Sequence, residues 1–547
     1  MDKGRMLMSY GQDSVFVNQM GYPTKGPKMF TAAASGLFEL VEPDSGVVLF
    51  SGEMSFLKQD EASGLAVATG DFTRYERPGS CFIRMKESGA SSPVFPIGER
   101  PYASVEKALL KSFYYQRCGM ELTAEYAGPW AHGACHLADA HVHGNPEERF
   151  PQTGGWHDAG DYGKYTVAGM KAIADLLLAY ERFPASFAEP AGIPNSDGIP
   201  DVLAEVKYEL EFLLLMQRPD GAVYHKVTSA EFPPLDCMPE QDLSELIFSP
   251  VSDTAAASFA AGMALAARIY REPDPALAKR CGQAAKLAWR SLQGRPAEAG
   301  FRNPPGIVTG EYGDAHREDE LYWAAAELFS LTGETEYLQA AQALAETGGF
   351  PLCELGWTDT GGYGTLSLLD AAPGLVPEAF RARLLAAWTA EADLYAERSA
   401  ADGFGISLLR EDYIWGSNML VMNRAMLLII AGELTGNKSY GEAALAHWDY
   451  LLGRNVLGCC YVTGFGAKRV LYPHHRPSEG DGVAEPVPGM VAGGPNLHLQ
   501  DEAAAAHLAG AAPAACFVDH KLSYSTNEMT IYWNSPAVFV AAYAGGL

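Results

Sequence analysis

The sequence predicts a multidomain chain: a small N-terminal β-sandwich of immunoglobulin-like type, followed by an all-α (α/α)6 barrel. Three observations predict it. At 547 residues the chain exceeds one compact domain of usual size. Its hydrophobic period changes near residue 100 from about two residues to about 3.6. Beyond that point helical stretches follow one another, joined by long loops rich in Gly, Pro and aromatic residues. The expected domains are residues 12–100 and 101–547.

The strand-like runs come first: Ser14–Asn18, Met29–Ala32, Leu37–Val41, Val47–Phe50 and Cys81–Met85. Turn signals such as Pro43-Asp44-Ser45-Gly46 separate them, and short strands at this spacing suit a sandwich. Gly98-Glu99-Arg100-Pro101 reads as the boundary. Helical stretches then run over Ser104–Gln116, Val167–Glu181, Pro200–Met216, Asp253–Tyr270, Pro275–Leu292, Asp319–Thr332, Thr335–Glu346, Pro377–Glu397, Gly416–Thr435 and Tyr440–Leu452. Two more are expected at Asp501–Leu508 and Ser535–Ala542. Faces such as Ala255, Phe259, Met263 and Ala266 repeat at helical spacing. No sequence repeat of fixed period is present, which disfavours a solenoid. Paired helices around a toroid fit the pattern.

Composition narrows the function. A hydrophobic content of 48% supplies a large core, and 20% charged residues argue against disorder. A formal charge of −27 repels nucleic acid and anionic lipid, while neutral substrates and cations remain compatible. No run of 18 apolar residues suggests a membrane span, and a monomer is expected. The start, Met1 to Met8, lacks an apolar leader core, so the expectation is an intracellular protein or a secreted one whose signal was removed. The nine cysteines are scattered and odd in number, unlike a disulfide framework.

Two distant stretches carry the chemistry. Gly155-Trp156-His157-Asp158-Ala159-Gly160-Asp161-Tyr162-Gly163-Lys164-Tyr165 sets two carboxylates three residues apart in a Gly-rich loop. Asp519 to Asn534 sets Glu528 among Tyr524, Asn527, Tyr532 and Trp533. Sugar rings stack on aromatics, and glycosidic hydrolysis needs one carboxylic acid and one carboxylate. A third stretch runs from Tyr461-Val462-Thr463-Gly464-Phe465-Gly466-Ala467-Lys468-Arg469 to Pro473-His474-His475-Arg476.

In these three motifs the chain resembles glycoside hydrolase family 9, the inverting cellulase family, over residues 100–547. The preceding sandwich resembles the immunoglobulin-like module of one branch of that family. The resemblance implies Asp161 as the base, Asp158 as a second holder of the attacking water, and Glu528 as the acid. Capping of the following helix is the rival role for Asp158. His474 and Arg476 are expected to contact substrate, with Tyr524 and Asp519 beside them, Asp519 more as an orienter of neighbours such as Arg476. Trp357, Tyr363, Trp415, Tyr312 and Trp156 are candidate stacking platforms, each equally compatible with core packing.

Two metals are expected. Cys118, Cys135, His136 and His157 offer the donor set of a tetrahedral structural zinc next to Asp158, with His132, His141 and His143 nearby as alternative ligands and two buried thiols with two ordinary histidines as the rival reading. Asn195, Asp197, Ile199 and Asp201 alternate oxygen donors as a calcium loop does, and Asp319 with Glu320 resembles a calcium site of the family. Helix capping is the rival reading for both acidic groups, and for the Asp197 loop it explains the pattern equally well. The implied activity is endo-hydrolysis of β-1,4-glucosidic bonds in cellulose-type or mixed-linkage glucans. The alternatives are exo-trimming of short cello- or chito-oligosaccharides and a silent carbohydrate-binding protein.

Overall fold

The computed structural model describes residues 14–54, 56–294 and 300–547. The expected domain start at residue 12 and the segment read for a leader lie outside the described residues. By compactness the chain divides into two units, residues up to Ser112 together with Ala392–Leu547, and Phe113–Glu391.

The first unit begins with two sheets. One runs Val15–Phe16, Met29–Ala32, Leu65–Asp71, Lys58–Asp60 in spatial order; the other runs Tyr22–Pro23, Phe95–Gly98, Gly79–Met85, Gly36–Val41, Val48–Met54. Alternation does the sorting. In Gly79–Met85, Cys81, Ile83 and Met85 point inward while their neighbours remain partly exposed. Phe30 meets Phe38 edge-on at 4.9 Å, and Tyr22 meets Phe72 at 5.0 Å, filling the space between the sheets.

Twelve helices of ten or more residues follow among the described residues. They are α1 Ala103–Tyr115, α2 Thr166–Arg182, α3 Asp201–Leu215, α4 Asp253–Ile269, α5 Pro275–Leu292, α6 Glu318–Thr332, α7 Thr335–Thr347, α8 Gly361–Asp370, α9 Glu378–Ala401, α10 Ser417–Thr435, α11 Lys438–Leu451 and α12 Ile531–Gly545. Helices α2, α4, α8 and α12 are buried nearly all round, and their sequences are accordingly apolar or small on every face. Helices α5 and α7 bury one stripe only. In the second unit α2 packs on α4, α4 on α6 and α6 on α8; in the first, α10 packs on α11 and α12. Helix α10 alone among the described helices is long and apolar enough to cross a bilayer, yet 67% of its apolar stretch is buried inside the protein.

Within the first unit the sheets are bonded to the C-terminal helices. Asn18 Nδ2 donates to Asp449 Oδ1 at 2.8 Å, and Lys58 Nζ donates to the carbonyls of Ala401 and Asp402 at 2.7 and 2.6 Å. Arg454 Nε donates to Thr31 Oγ1 at 3.1 Å. The second unit holds a small mixed sheet that the all-α expectation lacks: Asn145–Phe150, Ala140–Val142, Ile247–Phe248, Lys226–Thr228, Lys164–Tyr165. Its strands are two to six residues long, too short for a period to register.

Candidate active site

In the second unit the Gly155–Tyr165 loop is fastened from behind. Gln116 Nε2 donates to the carbonyls of His157 and Ala159 at 3.1 and 2.8 Å. Trp156 is buried, its amide donating to Glu209 Oε2 at 2.6 Å and its indole to Glu205 Oε1 at 2.9 Å. Arg117 grips Glu205 with two bonds of 3.0 and 2.9 Å. Gly155 takes φ +76, and a Cβ there would strike the Phe212 ring at 2.4 Å, so only glycine lets the loop lie this close to α3. Trp156 is therefore an anchor, not a stacking platform.

The loop presents two carboxylates. Asp158 is 2% exposed. Its Oδ2 accepts from the Tyr312 hydroxyl, while its Oδ1 is buried with no partner. Burial, opposed by the Tyr312 hydroxyl and aided by the charge of Asp161, lifts its pKa well above the carboxylate range. Asp161 Oδ2 accepts from the Gly163 amide at 3.0 Å. Tyr312 sits at φ +48, held between Tyr165 at 4.6 Å and Trp357 at 4.9 Å. The structure thus joins Asp158, Tyr312 and Trp357 in one group.

In the first unit a second group forms. His474 and Glu528 lie opposite each other in a parallel bridge, with the His474 amide donating to the Asn527 carbonyl at 2.9 Å. The Gly493 amide donates to the Glu528 carbonyl at 2.8 Å, so the Glu528 backbone is held from both sides. Its side chain is half-buried. His474 Nδ1 donates to the Lys521 carbonyl at 2.7 Å, which leaves Nε2 as the acceptor nitrogen. Burial brings its pKa down to about 4, so the ring is neutral. The Tyr524 ring stands 6.1 Å from His474 and 5.2 Å from Trp415, which is 40% exposed. Arg476 is buried at the start of a short helix.

Asp519 corrects one expectation. It is fully buried, and its oxygens accept from the amides of Leu471 and Tyr472 at 2.8 Å each and from Asn527 Nδ2 at 3.0 Å. It braces the segment leading to His474 and has no surface to offer a substrate.

The zinc expectation draws its four residues together. The donor atoms of Cys118, Cys135, His136 and His157 lie within 4.8 Å of one another, and all four residues are buried. A tetrahedral zinc with bonds of about 2.0–2.3 Å needs donors somewhat under 4 Å apart, a small closure of this cradle. His136 spends Nε2 on Asp242 Oδ2 at 3.3 Å and leaves Nδ1 buried without a partner. A carboxylate behind a ligating imidazole is the usual support for such a ligand. The bond to Cys135 pushes the Cys118 thiol well down, toward the thiolate that metal binding requires.

The two calcium expectations part company. At Asn195–Asp201 the oxygens are already taken. Asn195 Nδ2 donates to the Ile199 carbonyl at 2.7 Å and to Asp201 Oδ1 at 2.8 Å, and the Lys207 ammonium bonds Asp197 at 2.8 Å. With these oxygens bonded within the protein, and with Asp201 opening α3, this loop is a helix start. Asp319 and Glu320 differ. Asp319 Oδ2 accepts from the Thr360 amide at 2.7 Å, whereas both oxygens of the fully buried Glu320 lack partners. Burial, with Asp319 and Asp314 adding, lifts Glu320 well above its usual range, and burial with Asp319 and Asp359 lifts Asp314 to about 6. Asp314 Oδ2 is likewise buried without a partner. Asp314 and Asp359 were missed by sequence reasoning; only the spacing of Asp314, five residues before Asp319, hinted at it.

Comparison with known proteins identifies the scaffold that carries these groups. The description "Glycosyl hydrolase family 9" matches residues 102–541. The chain belongs to glycosyl hydrolase family 9. "Cellulase N-terminal ig-like domain" matches residues 11–90. A cellodextrinase of Butyrivibrio fibrisolvens is 38% identical, covering 96% of this chain and 98% of its own length. The structure is similar to that of a single-mutant thermostable endoglucanase from Alicyclobacillus acidocaldarius, with TM-score 0.93, 43% identity, and coverage of 98% of this chain and 100% of that one. It is also similar to a Zn-binding triple mutant of the family 9 endoglucanase J30, with TM-score 0.90, 32% identity, and coverage of 96% and 99%. This family 9 chain is therefore a glycoside hydrolase, with a glycan as its substrate.

Proposed function

We propose that this family 9 enzyme hydrolyses internal β-1,4-glucosidic bonds of cellulose-type or mixed-linkage glucans in a single inverting displacement. The observation that carries the reading is the buried Asp158, on the loop that presents Asp161, bonded by the Tyr312 hydroxyl. Asp161 takes the proton from a water attacking the anomeric carbon, and Asp158 helps hold that water. Glu528 delivers a proton to the departing glycosidic oxygen. His474, neutral and with Nε2 as acceptor, and Arg476 bind the hydroxyls of the sugar at the cleavage point. Trp415 and Tyr524 in the first unit, and Trp357 and Tyr312 in the second, offer ring faces on which sugars can stack. Asp519 keeps the His474 segment in place.

A second reading, trimming of short soluble oligosaccharides, is favoured by the name of the Butyrivibrio cellodextrinase. Viscosity loss measured against reducing-end release on a soluble glucan separates the two. The decisive test of the mechanism is Asp161→Ala and Glu528→Ala with anomer analysis by NMR. Each variant should lose nearly all activity while folding normally, and the wild type should release the α-anomer first. A β-anomer first, or an active Glu528→Ala enzyme, refutes the assignment.

Alternation of all-round-buried helices with amphipathic ones supports a closed (α/α)6 ring of α1–α12. We place the boundary between the immunoglobulin-like domain and the ring at Gly98–Pro101, and expect a monomer. Zinc at Cys118, Cys135, His136 and His157 would fix the loop that bears Asp158, supplying structure and no chemistry. Support comes from the two buried thiols and from Asp242 behind His136. Calcium fits Asp314, Asp319 and Glu320, because the partnerless oxygens of Asp314 and Glu320 are otherwise costly to bury.

A further inference from the structure

Lys226 stands in a two-ladder strand in the second unit, directly opposite Tyr165 in the pairing of Lys226–Thr228 with Lys164–Tyr165. It is fully buried. An ammonium is expensive to strip of water, and a protein core rarely holds one without a use. Lys226 Nζ donates to the Gly310 carbonyl at 2.6 Å, to Thr309 Oγ1 at 3.1 Å and to the Thr309 carbonyl at 3.2 Å. The neighbouring positions reinforce that grip. His225 Nε2 lies 3.1 Å from the Glu311 carbonyl, and the hydroxyls of Thr228 and Thr309 are 2.8 Å apart. The segment so held, Thr309 to Tyr312, ends at the residue whose hydroxyl bonds Asp158. Tyr312 keeps a positive φ there, a conformation that persists only where the surroundings enforce it.

The same ammonium carries charge toward the loop. Its nitrogen stands 5.5 Å from the Tyr165 ring centroid, and that ring packs on Tyr312. Asp161 and Glu311 are the two carboxylates whose charges act on Lys226. His225, the other titratable group beside it, is kept neutral by burial. Asp161 is also coupled to Asp158, whose pKa its charge helps to raise. Glu311 is already engaged by Arg302 at 2.7 Å and by the Asn303 amide at 2.9 Å.

We propose that Lys226 is a positioning residue of the hydrolytic reaction, one ammonium that both fastens the Thr309–Tyr312 segment and sets a positive charge beside Asp161. The proposal rests on Asp161 being the base. Burial lowers the lysine pKa to about 8, so it is charged throughout the acidic and neutral range in which a carboxylate base works.

Three variants separate its two tasks, each measured as kcat and KM on a soluble cello-oligosaccharide across pH, with a melting curve. Lys226→Gln keeps a donor for the Thr309 and Gly310 carbonyls but removes the charge. Without the neighbouring cation the base holds its proton more tightly, so the acidic limb of kcat/KM moves up by about one pH unit. Lys226→Arg keeps the charge, and its limb stays where the wild type has it. Thr309→Val removes one anchor without touching charge, so kcat falls several-fold with the limb unmoved and KM little changed. A Lys226→Gln limb that stays in place overturns the charge role, and Thr309→Val with wild-type kcat overturns the anchoring role; both leave the base assignment standing. Full activity in Asp161→Ala would overturn the base assignment and this proposal together. A Lys226→Gln chain that fails to fold leaves the test to Lys226→Arg, whose limb must then match the wild type.

Discussion

Replacing Asp449 by Asn should stabilise the protein above neutral pH. Asp449 lies in α11, 6% exposed, where its Oδ1 accepts from Asn18 Nδ2 at 2.8 Å. Burial, against the Arg454 charge and the Asn18 bond, raises its pKa to about 7. In the unfolded chain the same carboxyl titrates near 3.9. The folded state therefore binds this proton more tightly. Its contribution favours folding below pH about 4 and is lost progressively as pH rises toward about 7. Three pKa units at about 1.36 kcal/mol each put the cost of the buried charge at up to about 4 kcal/mol above pH 7. An amide at this position still offers Asn18 a carbonyl oxygen, and it has no charge to bury. Urea unfolding of wild type and Asp449→Asn at about pH 4.5 and pH 8 measures the difference. Asp402, raised to about 7 by burial and by Asp60 at the same junction, titrates in both proteins and cancels. The variant should gain at pH 8 and lose most of that gain at pH 4.5. A variant less stable than wild type at pH 8, or a gap independent of pH, would show that Asp449 keeps its charge through other partners.

Elemental analysis should find about one zinc per chain, and Cys135→Ser should lose it together with thermal stability, since three ligands leave an open position. A metal-free wild type, or an unchanged melting curve after that substitution, counts against zinc. A calcium-selective chelator should lower the melting temperature, because an ion at a hundred times its Kd adds about 2.7 kcal/mol, and Glu320→Gln should blunt the response. No shift on chelation and re-addition would rule out Asp314, Asp319 and Glu320 as ligands. Arg117→Met should destabilise by about 3–5 kcal/mol by leaving Glu205 buried without its guanidinium. A loss under about 1 kcal/mol in urea unfolding would mean the Trp156 indole alone satisfies that carboxylate.

The helices were legible because their burial is written in their periodicity. Pro275–Leu292 matches its expected ends, with Asp274 capping the Leu277 amide at 3.0 Å before Pro275. Helix α8 was missed. It opens Gly361-Gly362-Tyr363-Gly364, residues that lower helix propensity, yet a Cβ at Gly362 would meet the Glu354 carbonyl at 2.5 Å. Close packing chose glycine there, and propensity could not reveal it. Strands Leu65–Asp71 and Phe95–Gly98 escaped for a related reason: Gly70 lies under the Phe30 ring, and Pro96 interrupts the second run.

The site divides along the same line. A motif names donors that are neighbours in sequence, but whether an oxygen is available depends on what the fold brings to it. At Asn195–Asp201 the spacing of oxygens suits a cation, but the Asn195 amide takes the Ile199 and Asp201 oxygens, and Lys207, ten residues beyond Asp197, bonds Asp197 and also Asp274. At Glu320 nothing arrives, and two carboxylate oxygens stay buried and unmatched. Both stretches read alike as acidic helix starts. The distinction lies in the competitor, which comes from elsewhere in the chain and has no trace in the local pattern. The zinc group inverts the case: Cys118, Cys135 and His157 are unremarkable at their separations, and bonds such as those from the Cys118 amide to the Gly155 carbonyl at 2.8 Å and from the His157 amide to the Gln116 carbonyl at 2.7 Å join the Cys118 segment to the catalytic loop. Buried groups left without partners are thus the stronger guide to a missing ion, because each is a cost that the rest of the fold has not offset.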